Sequence, residues 1–542
     1  MDRRTFLQGA LAAGAGAALA PWLRPLPVLG QAGGPGWTTT ARSAATGDVF
    51  VPDPLFTDGV LSGDPGARRV VLWSRIDPSL DRRDGVPVGV EVARDAEFTP
   101  SGVVAWHTVQ ATAEHDHTVA LDVEDLEPGT TYYYRFTARG RTSPIGRTKT
   151  APEGGIDRVR LAYFSCQRIT HGWFPSHRDL AELALDEETD LDVVLSLGDY
   201  VYNTEFADDW LVPGRDTPDE PEAATFEQFR SRYHSMRADP DLQAMHANHA
   251  VVCVFDNHDG RSDPDDPMGE GAIPAFFEQL PVRRFGSSTR IHRRFSWGER
   301  LEVFLTDQRQ HRSPGLEESD HVLGSSSDEV PEMFDPDRTM LGAEQRDWLL
   351  DGLAGSTAQW KVVGSQLMFL PWRSDAPGGP TAAVPHPGRY LNLVQWDGYQ
   401  AERDRILATV AEHEVQDVLV VSGDSHVFAA AEISADWDDP DSPPLVVELN
   451  GSSVTSANAD EMGIPGTDFT RPLLQGIDPY LKYFQAERHG IGVLDLSASG
   501  AEVELRSPAT IEQQDAAVEV LASFRIESGS ARLQPTGGTD GS

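Results

Sequence analysis

Asp199 and Tyr202 stand three residues apart in Gly198-Asp199-Tyr200-Val201-Tyr202, Asn257, His258 and Asp259 are consecutive, and Asp424 and His426 flank a single serine. A carboxylate such as Asp199 can bridge two cations. A phenolate such as Tyr202 is a hard donor that suits a trivalent, iron-like ion and is seldom used for zinc. The amide oxygen of Asn257 can ligate a second cation. His258 beside it can then reach a leaving-group oxygen as general acid, with Asp259 fixing its tautomer. His426 suits the first cation and Asp424 the second. Cys166, at the end of the strand-like Arg160-Leu161-Ala162-Tyr163-Phe164, is a candidate thiolate ligand by its position. Together these residue types describe a two-metal hydrolase centre able to clamp both oxygens of an in-line phosphoryl displacement. Each block alone has a plainer reading, as a helix cap, a turn or a satisfied loop histidine. Their joint occurrence, in order, carries the inference.

Each block directly follows a short apolar run: Asp192–Leu197, Ala250–Phe255 and Asp417–Ser422. Such runs, rich in Val and Leu and bounded by polar turns, read as buried strands. In an α/β sheet, ligands bind beyond the carboxyl ends of the strands, so three strand ends deliver these side chains to one rim. Helical spacing is expected over 176–186, 226–236, 342–353 and 402–412, and strand alternating with helix argues for a layered α/β domain. Before it, residues 50–150 are all-β in pattern, with partial alternation and a Leu126–Tyr134 stretch like the turn and strand of a fibronectin-type sandwich. The segments 314–338 and 374–389 are long enough to be lids or insertions. The chain therefore divides into a signal segment (1–32), a flexible linker (33–49), a β-sandwich (50–150), a catalytic domain (157–510), and a C-terminal strand with a flexible tail (511–542).

The length of 542 residues calls for two or three domains, and 39% hydrophobic residues suffice for sizeable cores. A net charge of −40 repels nucleic acid and anionic lipid and excludes a general backbone-binding role. Lysine occurs only at Lys149, Lys361 and Lys482, a balance found in proteins of salty habitats or encoded by high-GC genomes. An arginine cluster (Arg283, Arg284, Arg290, Arg293, Arg294) keeps a nuclease reading open but is expected to be solvated surface. Asp2-Arg3-Arg4-Thr5-Phe6-Leu7, followed by the apolar run Gly9–Ala20, matches a twin-arginine export signal, with cleavage after Ala20 or near Ala32. The twin-arginine machinery is then a partner and the mature protein is secreted, periplasmic or on the cell surface. No later segment is long and apolar enough to span a membrane, and a monomer is expected. Of the two cysteines, Cys253 reads as a buried core thiol, so a disulfide with Cys166 is not expected.

The long ordered set of motifs resembles the calcineurin-like metallophosphoesterases and, more narrowly, the alkaline phosphatase D (PhoD) family. It runs from Phe56-Thr57-Asp58-Gly59-Val60 through Ser165-Cys166-Gln167, the Asp199 block, Arg230-Ser231-Arg232-Tyr233 and Leu341-Gly342-Ala343-Glu344-Gln345. It continues through Trp360-Lys361-Val362-Val363-Gly364-Ser365-Gln366 and Trp396-Asp397-Gly398-Tyr399 to Asn450-Gly451-Ser452-Ser453-Val454-Thr455-Ser456. The resemblance implies a fibronectin/Ig-like β-sandwich ahead of a four-layer α/β/β/α catalytic sandwich, and a centre of Fe3+ and Ca2+. Carried over, Cys166, Asp199, Tyr202 and His426 would hold the iron. Asp199 would bridge, Asn257 and Asp424 would help hold the second metal, and His258 would be the general acid. Departures are Asp256-Asn257-His258-Asp259 where the family usually has DDHE, Gly260–Asp266 in place of paired asparagines, and Asp307-Gln308-Arg309 in place of DTR. Gln366 stands where other metallophosphatases place a metal-binding histidine.

The expected reaction is attack on a phosphate ester by a hydroxide bridging the metals, with His258 protonating the leaving alkoxide. Arg309 either holds a non-bridging oxygen bidentately or forms a structural ion pair. The substrate is a small phosphate monoester or diester. The alternatives are a phospholipase D-like or teichoic-acid-type diesterase and a vestigial site on a surface-polymer binding protein, against which the intact ligand set argues.

Overall fold

The computed structural model describes residues 37–540 apart from 82–84, 204–210, 216–221, 261–268, 270, 287, 317–324, 328–329, 374–385, 387, 440, 459–460, 462–466, 468–470, 472–473 and 476–477. The expected export signal, most of the loop 374–389 and Arg261–Asp266 lie outside the described residues.

The N-terminal β region has two antiparallel sheets. One joins Val60–Gly63, Val70–Arg75 and Thr118–Val123; the other is built on Val86–Ala93, Val103–Ala111 and Thr131–Ala138. Alternation along Thr131–Ala138 sends Tyr132, Tyr134, Phe136 and Ala138 into the core with Val88, Val90, Leu72 and Val119. The Tyr132 hydroxyl accepts from the Glu127 N–H at 2.9 Å, closing the turn before its strand.

The remainder is built on two mixed sheets of seven strands. In the first, Val251–Cys253, Val193–Ser196 and Arg158–Phe164 are parallel, and the C-terminal strands from Ile491 onward continue antiparallel. In the second, Leu301–Leu305, Trp360–Gly364, Val418–Ser422 and Pro444–Gly451 are parallel neighbours. Tyr163 fills space between the sheets: a Cβ on Gly451 would lie 2.8 Å from its ring. Helices form at Pro175–Leu183, Phe226–Arg237, Ala343–Gly355 and Gln400–Glu412, close to the expected spans, and also at Pro240–Asn248 and Ala272–Gln279.

Three expectations are corrected. The described part of the linker, 37–49, is docked rather than flexible: Ala41 is fully buried, Trp37 packs edge-on to Trp173, and Asn248 bonds the backbone of both Arg42 and Ala44. The C-terminal strand expected beyond 510 is present as Val518–Glu527, but the tail after it is corrected: Gln534–Gly537 adds another strand to the first sheet, and Asp540 accepts from the Tyr483 hydroxyl at 2.6 Å. The arginine cluster is not all solvated: Arg293 is buried on Asp64 of the N-terminal region, and Arg283 is held by Asp122. Those carboxylates pair with two of the five arginines, while Arg284, Arg290 and Arg294 are exposed.

The N-terminal region covers the edge of the first sheet, where Ser62 bridges Ala250 beside the edge strand Val251–Cys253. Trp73 donates to the Glu278 carbonyl at 2.8 Å and lies under the Arg237 guanidinium. His234 sits at the same interface, with Nδ1 2.6 Å from Asp58 and Nε2 2.6 Å from Asp116. Two carboxylates facing both ring nitrogens require a proton on each, so the ring is an imidazolium. Partial burial opposes that charge, but the two carboxylates raise its pKa above the ordinary value. Burial likewise opposes ionisation of Asp58 and Asp116, yet His234 and Arg75 hold both well below the usual range. A raised histidine pKa stabilises the fold below its unfolded value of about 6.5 and loses that contribution as pH rises through the folded value. The lowered carboxylates contribute above about 3.9 and lose it as pH falls. The clamp is thus strongest between these limits. His234→Ala is expected to cost up to about 3 kcal/mol near pH 6, with Arg75 limiting the loss. The difference from wild type in thermal unfolding midpoint shrinks at alkaline pH; a difference independent of pH would rule the clamp out.

Candidate metal centre

The strand ends of both sheets meet. Loops after Phe164, Ser196 and Cys253 of the first sheet face loops after Leu305, Gly364, Ser422 and Gly451 of the second. They are tied to one another: Cys166 N–H donates to Gly198 carbonyl at 3.2 Å, and Gly423 N–H to Gln366 carbonyl at 3.2 Å. Gly198 has φ +113°, and a Cβ there would stand 2.4 Å from that of Asp256, so glycine lets the loops after Ser196 and Cys253 touch. Cys166, Asp199, Asp424 and His426 all have positive φ, between 50° and 62°. Non-glycine residues in this region cost of order 1–3 kcal/mol each and persist where surrounding contacts over-determine them. Here the reversal after each strand turns a ligand-type side chain inward.

The sulfur of Cys166, a carboxylate oxygen of Asp199 and a ring nitrogen of His426 lie within 4.8 Å of one another. Tyr202 joins them, buried, with its hydroxyl hydrogen-bonded to Ser456 Oγ. His426 is oriented by its Nδ1, 2.8 Å from the Ala457 carbonyl, which leaves Nε2 available. Asn257 and Asp424 come together on one guanidinium: Arg309 Nη2 donates to Asn257 Oδ1 at 3.2 Å and to Asp424 Oδ1 at 3.0 Å. Arg309 Nε pairs with Asp256. Both cysteines are free and buried.

The charges in this cluster conflict. Burial pushes the Asp199 carboxyl far above its ordinary range, and Asp256, Asp259 and Asp424 push the same way. Burial raises the Cys166 thiol, reinforced by Asp199 and Asp424, and raises the Tyr202 phenol, reinforced by Asp199 and Cys166. Burial lifts Asp256 to about 6, with Arg309 opposing, and lifts Asp259 to about 7. Acids that raise one another's pKa in a buried cluster fit a site for multivalent cations, whose charge reverses each of these shifts. Thiolate, phenolate, carboxylate and imidazole fit iron; carboxylate and amide oxygens fit a harder ion such as calcium. Gln366 adds an orphan, its buried Oε1 having no hydrogen-bond partner among the described residues.

His258 stacks on Tyr202, with ring centroids 4.4 Å apart, and its backbone N–H donates to Asp199 Oδ1 at 3.0 Å. One assigned role changes. Asp259 does not orient the His258 ring: its carboxylate accepts from the N–H groups of Val201 (3.0 Å) and Asp256 (2.8 Å). The partner of His258 Nδ1 is Asn203 Oδ1 at 3.3 Å. Arg309 turns Nε to Asp256 and Nη2 to Asn257 and Asp424, so these two nitrogens serve an ion-paired network. Burial, with the cations Arg168 and Arg309 among its neighbours, lowers the His258 pKa well below the ordinary histidine value.

Sequence reasoning passed over several contributors. Asn203 directly follows Tyr202, and Asp256 opens the Asn257 block, so adjacency could have marked both. Ser456 closes Asn450–Ser456, quoted without a role. Arg168, whose guanidinium lies 5.1 Å from the Tyr202 ring centre, and Gln395, which donates to Asp424, carry no local signal.

The PhoD-like phosphatase profile matches residues 161–505, and the profile of the PhoD-like phosphatase N-terminal domain matches 42–152. Alkaline phosphatase D of Bacillus subtilis (strain 168) is 29% identical over 513 residues, an alignment covering 89% of this chain and 83% of that one. A solved structure of PhoD superposes with a TM-score of 0.77 at 28% identity, covering 89% of this chain and 92% of the other. The chain belongs to the PhoD-like phosphatases, a family of phosphate-ester hydrolases.

Proposed function

We propose that this chain is an exported alkaline phosphatase of the PhoD type, hydrolysing phosphate monoesters and diesters at a centre holding Fe3+ and Ca2+. The supporting observation is the convergence of Cys166, Asp199 and His426 within 4.8 Å, with Tyr202 beside them. In this reading the two seven-stranded sheets and their flanking helices form a four-layer sandwich, preceded by a fibronectin-like domain.

Cys166, Asp199, Tyr202 and His426 would hold the iron; Asp199, Asn257 and Asp424 would hold the calcium. Bound cations supply positive charge to the phosphoryl oxygens and make water acidic enough to serve as nucleophile. The protein's own part is positional. Asp199 fixes the His258 backbone, Asn203 orients its ring, and the Tyr202 face limits its rotation. With Nδ1 turned to Asn203, Nε2 is the nitrogen left for substrate, and once the ring takes up a proton alongside the bound phosphate dianion, Nε2 delivers it to the leaving oxygen. Arg309 and Gln395 hold Asp256, Asn257 and Asp424 in register.

The test is hydrolysis of matched chromogenic mono- and diesters by natively exported protein at alkaline pH, with calcium and then with chelator. Turnover that needs calcium and is lost with chelator is expected, and the ester ratio sets the substrate class. Absence of turnover with both metals bound, or turnover indifferent to chelation and metal content, would overturn the reading.

A further inference from the structure

The loop Ser452–Asn458, which follows the strand Pro444–Gly451, touches three of the four residues assigned above to iron, two by their side chains and Cys166 by its backbone. Thr455 and Ser456 N–H groups donate to the Cys166 carbonyl at 3.3 and 3.1 Å, and Val454 N–H donates to Ser165 at 3.0 Å. The Ala457 carbonyl orients His426. Ser456 Oγ meets the Tyr202 hydroxyl, both groups being buried. The loop is fixed internally as well: Ser453 Oγ donates to the Ser456 carbonyl at 2.6 Å, and Thr455 Oγ1 to the Arg168 carbonyl at 2.7 Å.

We propose that Ser456 is a positioning residue that sets the donor strength of Tyr202, its hydroxyl hydrogen-bonding the phenolic oxygen from a loop that also anchors Cys166 and His426. The inference rests on the ferric–phenolate reading above. A phenolate has no proton to give, so the hydrogen in this contact comes from Ser456. A hydrogen bond to an ionised acceptor is among the stronger kinds, and it withdraws electron density from the oxygen. Removing it raises the energy of the filled phenolate orbital. The transition carrying an electron from phenolate to ferric ion then needs less energy, and the ferric state is favoured over the ferrous.

The experiment compares metal-loaded wild type, Ser456→Ala and Ser456→Thr by visible absorption and reduction potential, at measured iron content. Ser456→Ala is expected to move the charge-transfer band to longer wavelength and the potential to a more negative value, and Ser456→Thr, which keeps the hydroxyl, to restore both. If Ser456→Ala does not retain iron, Ser456→Cys, with a weaker donor of similar size, should show the same shift to a smaller extent. A band unmoved in an iron-loaded variant overturns the role of Ser456 and leaves the iron–phenolate reading standing. A wild type that holds iron without any such band overturns that reading, and the inference with it.

Discussion

His258→Ala is expected to lower kcat for alkyl phosphate esters by roughly 10²–10⁴-fold, the usual range for loss of a positioned proton donor. The same variant should hydrolyse nitrophenyl esters with a much smaller loss, because nitrophenolate departs without help. The geometry makes the contrast clean. His258 contacts the centre through its backbone, by the 3.0 Å bond to Asp199, as well as through its ring. Alanine keeps the backbone donor and removes only the imidazole. The Nδ1 contact with Asn203 spends one nitrogen on orientation, leaving Nε2 as the atom that can face substrate. Burial and the nearby arginines hold the ring neutral in the free enzyme, and an arriving phosphate dianion works in the opposite direction. The check is a plot of log kcat against leaving-group basicity for both proteins. A steeper dependence in the variant supports proton donation; an equal loss for every ester would make His258 a structural residue instead.

The candidate ligands were legible in the sequence because each follows an apolar run that reads as a buried strand. The parallel order of those strands was not needed to infer a common rim, and the structure brings Cys166, Asp199 and His426 together as expected. The environment of these residues was not readable. His258 and Asp259 are adjacent in sequence, which made Asp259 the natural choice to orient the ring. Yet a tight turn sends the Asp259 carboxylate back onto the N–H groups of Val201 and Asp256, and Asn203 reaches across from another loop. Neither Gln395 on Asp424 nor Ser456 on Tyr202 leaves a local trace, because those contacts join segments 29 and 254 residues apart.

The fold shows the same division. Helices with one polar face were found near their true ends. Pro240–Asn248 was missed because all nine of its residues are buried, packed against the N-terminal strands and the helix Pro175–Leu183. A helix enclosed on every side has no amphipathic period to detect. The linker and tail were misjudged for a related reason: glycine- and polar-rich composition predicts freedom, but Trp37, Ala41 and Leu533 each find a partner surface that composition cannot reveal.

Asp199→Asn should separate stability from activity. The side chain is buried, and three neighbouring aspartates push its pKa up. Asparagine has nearly the same shape and retains an oxygen for the His258 N–H, but carries no charge. In metal-free protein the substitution removes the cost of burying an ionisable carboxyl among other acids, so the unfolding midpoint should hold or rise. In the presence of metals the opposite is expected, since in the proposed centre the Asp199 carboxylate would be a ligand to both cations. Its loss should lower metal content and remove several kcal/mol of transition-state stabilisation, a fall in kcat/KM of about 10³-fold or more. Measuring metal stoichiometry, unfolding midpoint without metals and turnover on the same preparation distinguishes the explanations. Lower metal content with an unchanged or higher midpoint assigns Asp199 to the cations. A lower midpoint would mean that its bond to His258 matters mainly for the fold, and full metal content with near-normal turnover would remove Asp199 from the centre altogether.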